Sequence, residues 1–365
     1  MTLLQPDEAL TVEGSLLSEG GLIVASYDLE QSDGGGAAAV GYRGIGAGDG
    51  VHRGVFPALS IDYATASEVH VINGMGVTLG DSIIGLSALA AVRRRYPDLR
   101  MTLYRPACAP RYVEALYALA EGRIAHRRTL PWPLARLRAG DLHIDVGNHL
   151  FWPAFMSMPM IDFFLAALGV DPAGIEPAEK ANRWLADLAL PALPGGWQAR
   201  PYVLFCPTAS TPVRSMPPEQ QSAWVERLAE RFSLPVLGFG PLVRAHPAYV
   251  DVQALSPDTA HFLAWVKHAS YLLTVDTAAV HVAAGFDVPT TAFFTTVAPE
   301  LRVRDYPHCV SVPLPLPALR NVQSSSRAAD LALVQAAYRA LTVTDAMFGD
   351  ERGAVQRDPI VSYPA

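Results

Sequence analysis

Residues 271–294 read YLLTVDTAAVHVAAGFDVPTTAFF. An apolar run, Tyr271 to Val275, stops at Asp276 and Thr277, a short helical pattern over Ala279 to Phe286 follows, and Pro289 leads into a second apolar run. Strands buried on both faces do not alternate apolar with polar residues, so two such runs joined by a helix indicate a βα unit of a parallel sheet. The unit recurs outward from this stretch. Upstream lie YVLFCP, a helical pattern over Pro218 to Phe232, PVLGFG, and a helical stretch near Asp258 to Ala269. Still earlier come VHVIN, a glycine loop, a helix from Asp81 to about Tyr96, the strand RMTLY, the helical RYVEALYALAEG, and DLHIDVGN. Alternation at this spacing predicts an α/β fold built from two Rossmann-like domains.

The chain has 365 residues, half of them apolar, which suffices for two cores. The Pro- and Gly-bearing stretch LALPALPGGWQARP has the composition of a linker. The expected division is a first Rossmann-like domain over 67–185, a linker over 186–198, a second over 199–342, and a tail over 343–365. Residues 1–66 differ from the rest. LTVEGSLLSEGGLIVASYDLEQ alternates, and SDGGGAAAVGYRGIGAGDGVHRG is rich in glycine. This reads as a small β-rich accessory module. Two doubly wound domains facing each other would place a ligand cleft at the carboxyl ends of their strands.

Net charge is −7 with scattered basic residues, which argues against nucleic acid as a partner. The amino terminus has acidic residues where a secretory signal has basic ones, so a cytoplasmic location is expected. The longest apolar stretch, Ile83 to Val92, falls far short of the roughly 20 residues a membrane span needs. Cys108, Cys206 and Cys309 are too widely spaced for a disulfide framework or a zinc site, and reduced, buried thiols are the expectation.

Three stretches could carry chemistry. NGMGVTLGDSIIGLSAL places Gly74, Gly76 and Gly80 between a strand and a helix opening at or near Asp81. An aspartate there could take a proton from an attacking hydroxyl, or it could be a plain N-cap. CPTASTPVRSMPPEQQ follows a strand with Thr208, Ser210, Thr211 and Arg214. Hydroxyls and a guanidinium suit a diphosphate, and a solvated turn is the alternative. In the opening stretch, the backbone amides of Ala278, Ala279 and Val280 would form an anion site at a helix start. There Asp276 or Thr277 is the candidate cap, and His281 reads better as a core residue than as a chemical group. No two aspartates are two positions apart, and no H-E-x-x-H, Walker loop or G-x-S-x-G occurs. A metal-dependent D-x-D transferase, a P-loop enzyme and an α/β-hydrolase all lose ground.

Taken in order, these stretches resemble glycosyltransferase family 9, the ADP-heptose lipopolysaccharide heptosyltransferases, over about Val69 to Val312. Gly80, Asp81 and LSAL match the family's glycine-aspartate pair before its "PAL" segment. PTASTPVRSMPP echoes its "PGAS…KRWP" loop, with Met216 in place of tryptophan. Asp276, Thr277 and His281 meet its D-[ST]-G-x-x-H signature, with Ala278 in place of glycine. DLHIDVGN resembles the acceptor-side strand and loop, and MIDFFLAALGVDP resembles its "YLALLAALGI" helix. The extra amino-terminal module resembles in position that of the autotransporter heptosyltransferases, although three isolated cysteines cannot build the cysteine-rich iron-binding insertion of those relatives.

The resemblance implies a GT-B fold and an inverting, metal-independent transfer of a sugar, heptose, from an ADP-linked donor to a glycan or protein hydroxyl. No cofactor beyond the donor is implied. By resemblance Asp81 is the catalytic base, and Gly76, Gly80, Asp145 and Asn148 face the acceptor. Thr208, Ser210, Thr211, Arg214, Gly238, Asp276, Thr277, Ala278, Ala279, Val280 and His281 bind the donor. Peripheral contact with the inner membrane stays compatible with a lipid-linked acceptor, and nothing in the sequence sets the oligomeric state. A sugar-nucleotide epimerase lacks motif support. A non-catalytic sugar-nucleotide or glycan-binding paralogue, suggested by Ala278 and Met216, stays open.

Overall fold

Val69 to Ile72 and Tyr271 to Val275 are buried throughout, as strands covered on both faces must be. They are the central strands of two parallel sheets. The structure, a computed structural model, describes residues 3–32, 41–54 and 59–349. Part of the expected glycine-rich stretch (33–40), residues 55–58 of the expected amino-terminal module, and most of the expected tail (350–365) lie outside the described residues. The chain forms two compact units: Met1–Ala189 with Asp258–Ala260 and Glu300–Tyr306, and Leu190–Pro257 with His261–Pro299 and Pro307–Ala365.

The first unit begins with α1 (Pro6–Thr11), β1 (Leu16–Ser18), β2 (Leu22–Val24), α2 (Ser26–Gln31) and β3 (Tyr42–Gly44). Next come β4 (Glu68–Ile72), α3 (Leu79–Arg95), β5 (Arg100–Arg105), α4 (Arg111–Ala120), β6 (His126–Thr129), β7 (Trp132–Pro133), β8 (Leu142–Asp145), α5 (Met160–Ala167) and α6 (Pro177–Lys180). Its main sheet has the order β6-β5-β4-β8, all parallel. The chain runs outward from β4 to β6 and then returns to the other side of β4, so the order reverses between β4 and β8.

The amino-terminal strands form an antiparallel sheet, β3-β1-β2-β7, whose last member comes from the later chain. Leu17, Ile23, Ile45 and Val51 share one apolar cluster with Ile72, Tyr104 and Leu130. The Ser15 N–H and Oγ each bond the Asp145 carboxylate at 2.7 Å, and the Gly14 N–H donates to the Gly147 carbonyl.

The second unit carries β9 (Val203–Cys206), α7 (Pro218–Phe232), β10 (Val236–Gly238), β11 (Tyr249–Asp251), α8 (Thr259–His268), β12 (Tyr271–Val275), α9 (Ala278–Gly285), β13 (Thr290–Phe294), β14 (Cys309–Pro313) and α10 (Ala328–Ala340). Its sheet has the order β11-β10-β9-β12-β13-β14, all parallel, with the reversal between β9 and β12. On α7, Gln221, Trp224, Val225 and Leu228 recur at helical spacing and are buried. Trp224 meets Phe293 of β13 edge to face at 5.0 Å. Each large apolar side chain buried this way contributes about 1.5–3 kcal/mol.

Two helix starts differ from expectation by one or two residues. Helix α3 opens at Leu79 with Thr78 as its cap, and α9 opens at Ala278 with Thr277 as its cap. Asp81 is therefore the third helical residue and no cap. Among the thiols, Cys206 is buried but Cys108 is exposed, against the expectation for all three. No helix among the described residues is long and apolar enough to cross a membrane.

Candidate functional site

Ligands of open α/β sheets bind where the strand order reverses, outside the carboxyl ends of the two strands concerned. Each unit has one such point, and each holds a carboxylate beside a basic side chain.

In the first unit the first turn of α3, after β4, carries Asp81 and the turn after β8 carries His149. The reversal makes these segments neighbours, and His149 Nε2 lies 3.3 Å from Asp81 Oδ2. His149 is buried against Phe155, Phe163 and Phe164, with ring centroids 4.7–6.1 Å away. The Asp81 side chain keeps 17% exposure, enough for a substrate atom to reach it. Burial pushes its carboxyl upward, but the His149 hydrogen bond, the His149 and Arg302 charges and the Thr78 hydroxyl outweigh it. The group sits below the usual carboxylate range. Arg302 is itself buried and lies over the Phe155 ring at 5.5 Å.

The glycine loop is held open by specific contacts. Asn73, Met75 and Gly76 all have left-handed backbone, with φ of 48°, 69° and 72°. For a residue like Met75 this conformation costs energy, and it persists only where the surroundings impose it. Here Arg105, almost fully buried, donates from Nη1 to the Gly74 and Gly76 carbonyls at 2.5 and 2.7 Å. Its Nε bonds Glu114, and its guanidinium lies over Tyr117 at 3.9 Å. A side chain at Gly76 would strike His149 and approach Asp81, so glycine there keeps the pair intact.

In the second unit Arg214 follows β9 and Asp276 follows β12, and the reversal joins them too. Arg214 Nη1 is 3.2 Å from Asp276 Oδ2, and Nη2 donates to Ser210 Oγ at 2.9 Å. The Arg214 Nε–H is buried with no hydrogen-bond partner among the described residues. Thr208 and Ser210 are exposed on the same loop. Ala278 and Ala279 open α9, where no carbonyl lies one turn earlier to accept from their N–H groups.

Several expected roles need correction. Asp145 is fully buried, and its carboxylate is spent on Ser15 and the Gly147 N–H, so it anchors the amino-terminal segment and does not face an acceptor. Asn148 donates to the Leu10 and Val12 carbonyls and serves the same anchoring. The buried Thr211 hydroxyl accepts from Ser324 and the Ser325 N–H. The Val280 N–H closes the first turn of α9 onto the Thr277 carbonyl, leaving two helix amides where three were expected. A Cβ at Gly238 would meet the Tyr249 hydroxyl and the Phe205 carbonyl, so its glycine is explained by packing within the unit. Asp276 grips Arg214, and like charge disfavours it as a diphosphate contact. Gly80 lies inside the first turn of α3, and His281 is buried within α9, in keeping with a core role. Met216, where tryptophan was the family pattern, is a fully buried core residue.

His149, Arg302 and Arg105 were not singled out by sequence reasoning. Their partners are distant in sequence, 68 residues for His149 and Asp81. Only the crossover order brings them together.

No protein-family profile and no curated protein matches the sequence. Solved structures do. TibC, an iron-containing dodecameric glycosyltransferase from enterotoxigenic E. coli, matches with a TM-score of 0.51 at 13% identity, over 76% of this chain and 74% of that one. The chain shares the fold of TibC. A glycosyltransferase of family 9 from Veillonella parvula matches with a TM-score of 0.43 at 17% identity, over 70% of this chain and 87% of that one. E. coli heptosyltransferase WaaC with ADP matches with a TM-score of 0.40 at 14% identity, over 68% and 93%.

Proposed function

We propose that the chain is an inverting glycosyltransferase of GT-B type that moves a sugar, heptose in an ADP-linked donor, to a glycan or protein hydroxyl. The observation that carries this reading is the Asp81–His149 pair at the reversal between β4 and β8. A carboxylate held ionised, partly exposed and hydrogen-bonded on its far side has what a general base needs. Asp81 takes the acceptor proton as the hydroxyl attacks the anomeric carbon. The Arg214 Nε–H, the amides of Ala278 and Ala279, and the Thr208 and Ser210 hydroxyls stabilise the departing diphosphate. Fixed donors of this kind supply charge stabilisation without reorganising, and the reaction as proposed routes no step through a metal.

A second reading, a non-catalytic sugar-nucleotide binder, is favoured by one observation: two of the three Arg214 nitrogens are already occupied by Asp276 and Ser210. The test separates the two. Melting is followed with ADP, GDP, UDP and dTDP, each with and without a sugar, and transfer is then assayed with the nucleotide that binds. Saturation at a hundred times Kd stabilises a folded protein by roughly 2.7 kcal/mol, a clear shift. A shift with ADP-sugar, and transfer lost in Asp81→Asn while the shift persists, supports the enzyme. A shift without transfer in the parent supports the binder. No shift with any nucleotide overturns both.

A further inference from the structure

At the opposite edge of the first unit's sheet, where β4 and β8 begin, three side chains with metal-ligand chemistry converge. One donor atom each from Glu68, His70 and Asp141 lies within 4.8 Å of the other two. Glu68 and His70 are two apart on β4 and so share a face. Asp141 immediately precedes β8, and His70 Nε2 is 3.3 Å from Asp141 Oδ2.

Two of the three ligands are oriented from behind, as metal ligands are. The Tyr104 hydroxyl meets His70 Nδ1 at 3.0 Å, leaving Nε2 toward the carboxylates. Thr102 Oγ1 donates to Glu68 at 2.9 Å. His70 is buried, and the Asp141 side chain is 7% exposed. The charge balance of the cluster points to a cation. Neither Glu68 nor Asp141 forms an ion pair with lysine or arginine among the described residues, so two carboxylates, one half-buried and one 7% exposed, face one imidazole. His143, in register with His70 on β8 and 5.3 Å from it ring to ring, is buried beside the triad.

We infer that Glu68, His70 and Asp141 form a site for one divalent transition-metal ion, at the amino-terminal edge of the sheet. One imidazole with two carboxylates is a nitrogen and oxygen donor set that suits Zn2+ or Mn2+, and the two negative charges match the ion. Tetrahedral ligands about 2.1 Å from one ion lie about 3.4 Å apart, so the triad, whose donor atoms lie within 4.8 Å of one another, closes by about 1.4 Å at most. A β4 of five residues at about 3.3 Å each puts the ion on the order of 15 Å from Asp81. Its role is structural: it ties the start of β4 to the start of β8, beside the Gly50 carbonyl that His143 Nδ1 meets at 3.3 Å.

The test is calorimetric titration of the full chain, stripped with EDTA, using ZnCl2 and MnCl2 with MgCl2 for comparison. One equivalent of Zn2+ or Mn2+ should bind, at least tenfold more weakly in Glu68→Gln and in His70→Ala, and unchanged in Asp81→Asn. Glu68→Gln keeps the size of the side chain, and urea unfolding of the metal-free variants checks that both are folded. No saturable heat with either ion overturns the assignment, as does equal affinity in either folded variant.

Discussion

Asp81 owes its ionised state to what lies behind it. With burial alone its carboxyl would rise, and the His149 hydrogen bond, with the charges of His149 and Arg302, brings it down. Replacing Asp81 by Asn should therefore reduce transfer by about 10²- to 10⁴-fold, the usual contribution of a positioned base, with nucleotide binding retained. The pH profile gives a sharper test. A base whose pKa is depressed stays competent into acid, so the acidic limb of kcat/KM should fall below the ordinary aspartate value of about 3.9. His149→Phe removes the main lowering influence and leaves burial opposed only by the Arg302 charge and the Thr78 hydroxyl, so the limb should move to higher pH. A limb unmoved in that variant would show that His149 does not govern Asp81. The sign for stability agrees: a depressed carboxyl contributes stability above its unfolded pKa, and that contribution is lost as pH falls through the folded value.

At the scale of elements, the loop between β4 and α3 is shaped by its packing. Met75 is fully buried, and a Cβ placed on Gly85 would stand 2.6 Å from the Met75 Cβ. Alanine in place of an ordinary mid-helix glycine gains about 0.5–1 kcal/mol. Gly85→Ala should do the reverse and cost about 1–3 kcal/mol in urea unfolding, because Met75 cannot retreat without moving its own backbone. A gain in stability would mean that the Met75 contact is soft. This loop also marks what was legible beforehand. Gly74, Gly76 and Gly80 announce a close approach after a strand, and Asp81 stands out beside them. The left-handed Met75, the Arg105 clamp and the His149 partner do not, because each depends on which strand returns beside β4. The same holds in the second unit, where Arg214 and Asp276 both drew attention as phosphate contacts and the reversal between β9 and β12 pairs them with each other. The misread residues, Asp145, Asn148 and Thr211, are polar groups in loops at the right edge of a sheet. Sequence periodicity does not distinguish a polar group that anchors a distant segment from one that faces a ligand.

At the scale of the molecule, the first unit is assembled from distant segments fastened by buried charge. Asp145 holds Ser15 across 130 residues, and Asp162 holds Lys180 at 2.7 Å and Arg304 at 2.7 and 3.1 Å. Burial pushes the Asp162 carboxyl up, and the hydrogen bonds and charges of Arg304 and Lys180 more than reverse this, so it lies below the usual range. Its folded pKa is thus below its unfolded one. The stability it contributes is present above the unfolded pKa and disappears as pH falls through the folded one. Removing one member of a buried pair leaves an uncompensated charge, and the Lys180 side chain is only 7% exposed. Asp162→Asn should cost about 3 kcal/mol near neutral pH. The cost should shrink on acidification, as the parent's own carboxyl is protonated and its advantage over the amide disappears. Urea midpoints of parent and variant, measured from pH 7 downward, should converge. A gap that stays constant with pH would assign the loss to packing of the amide and not to the charge, and the Lys180–Asp162–Arg304 network would then be incidental to what holds the 300–306 segment in the first unit.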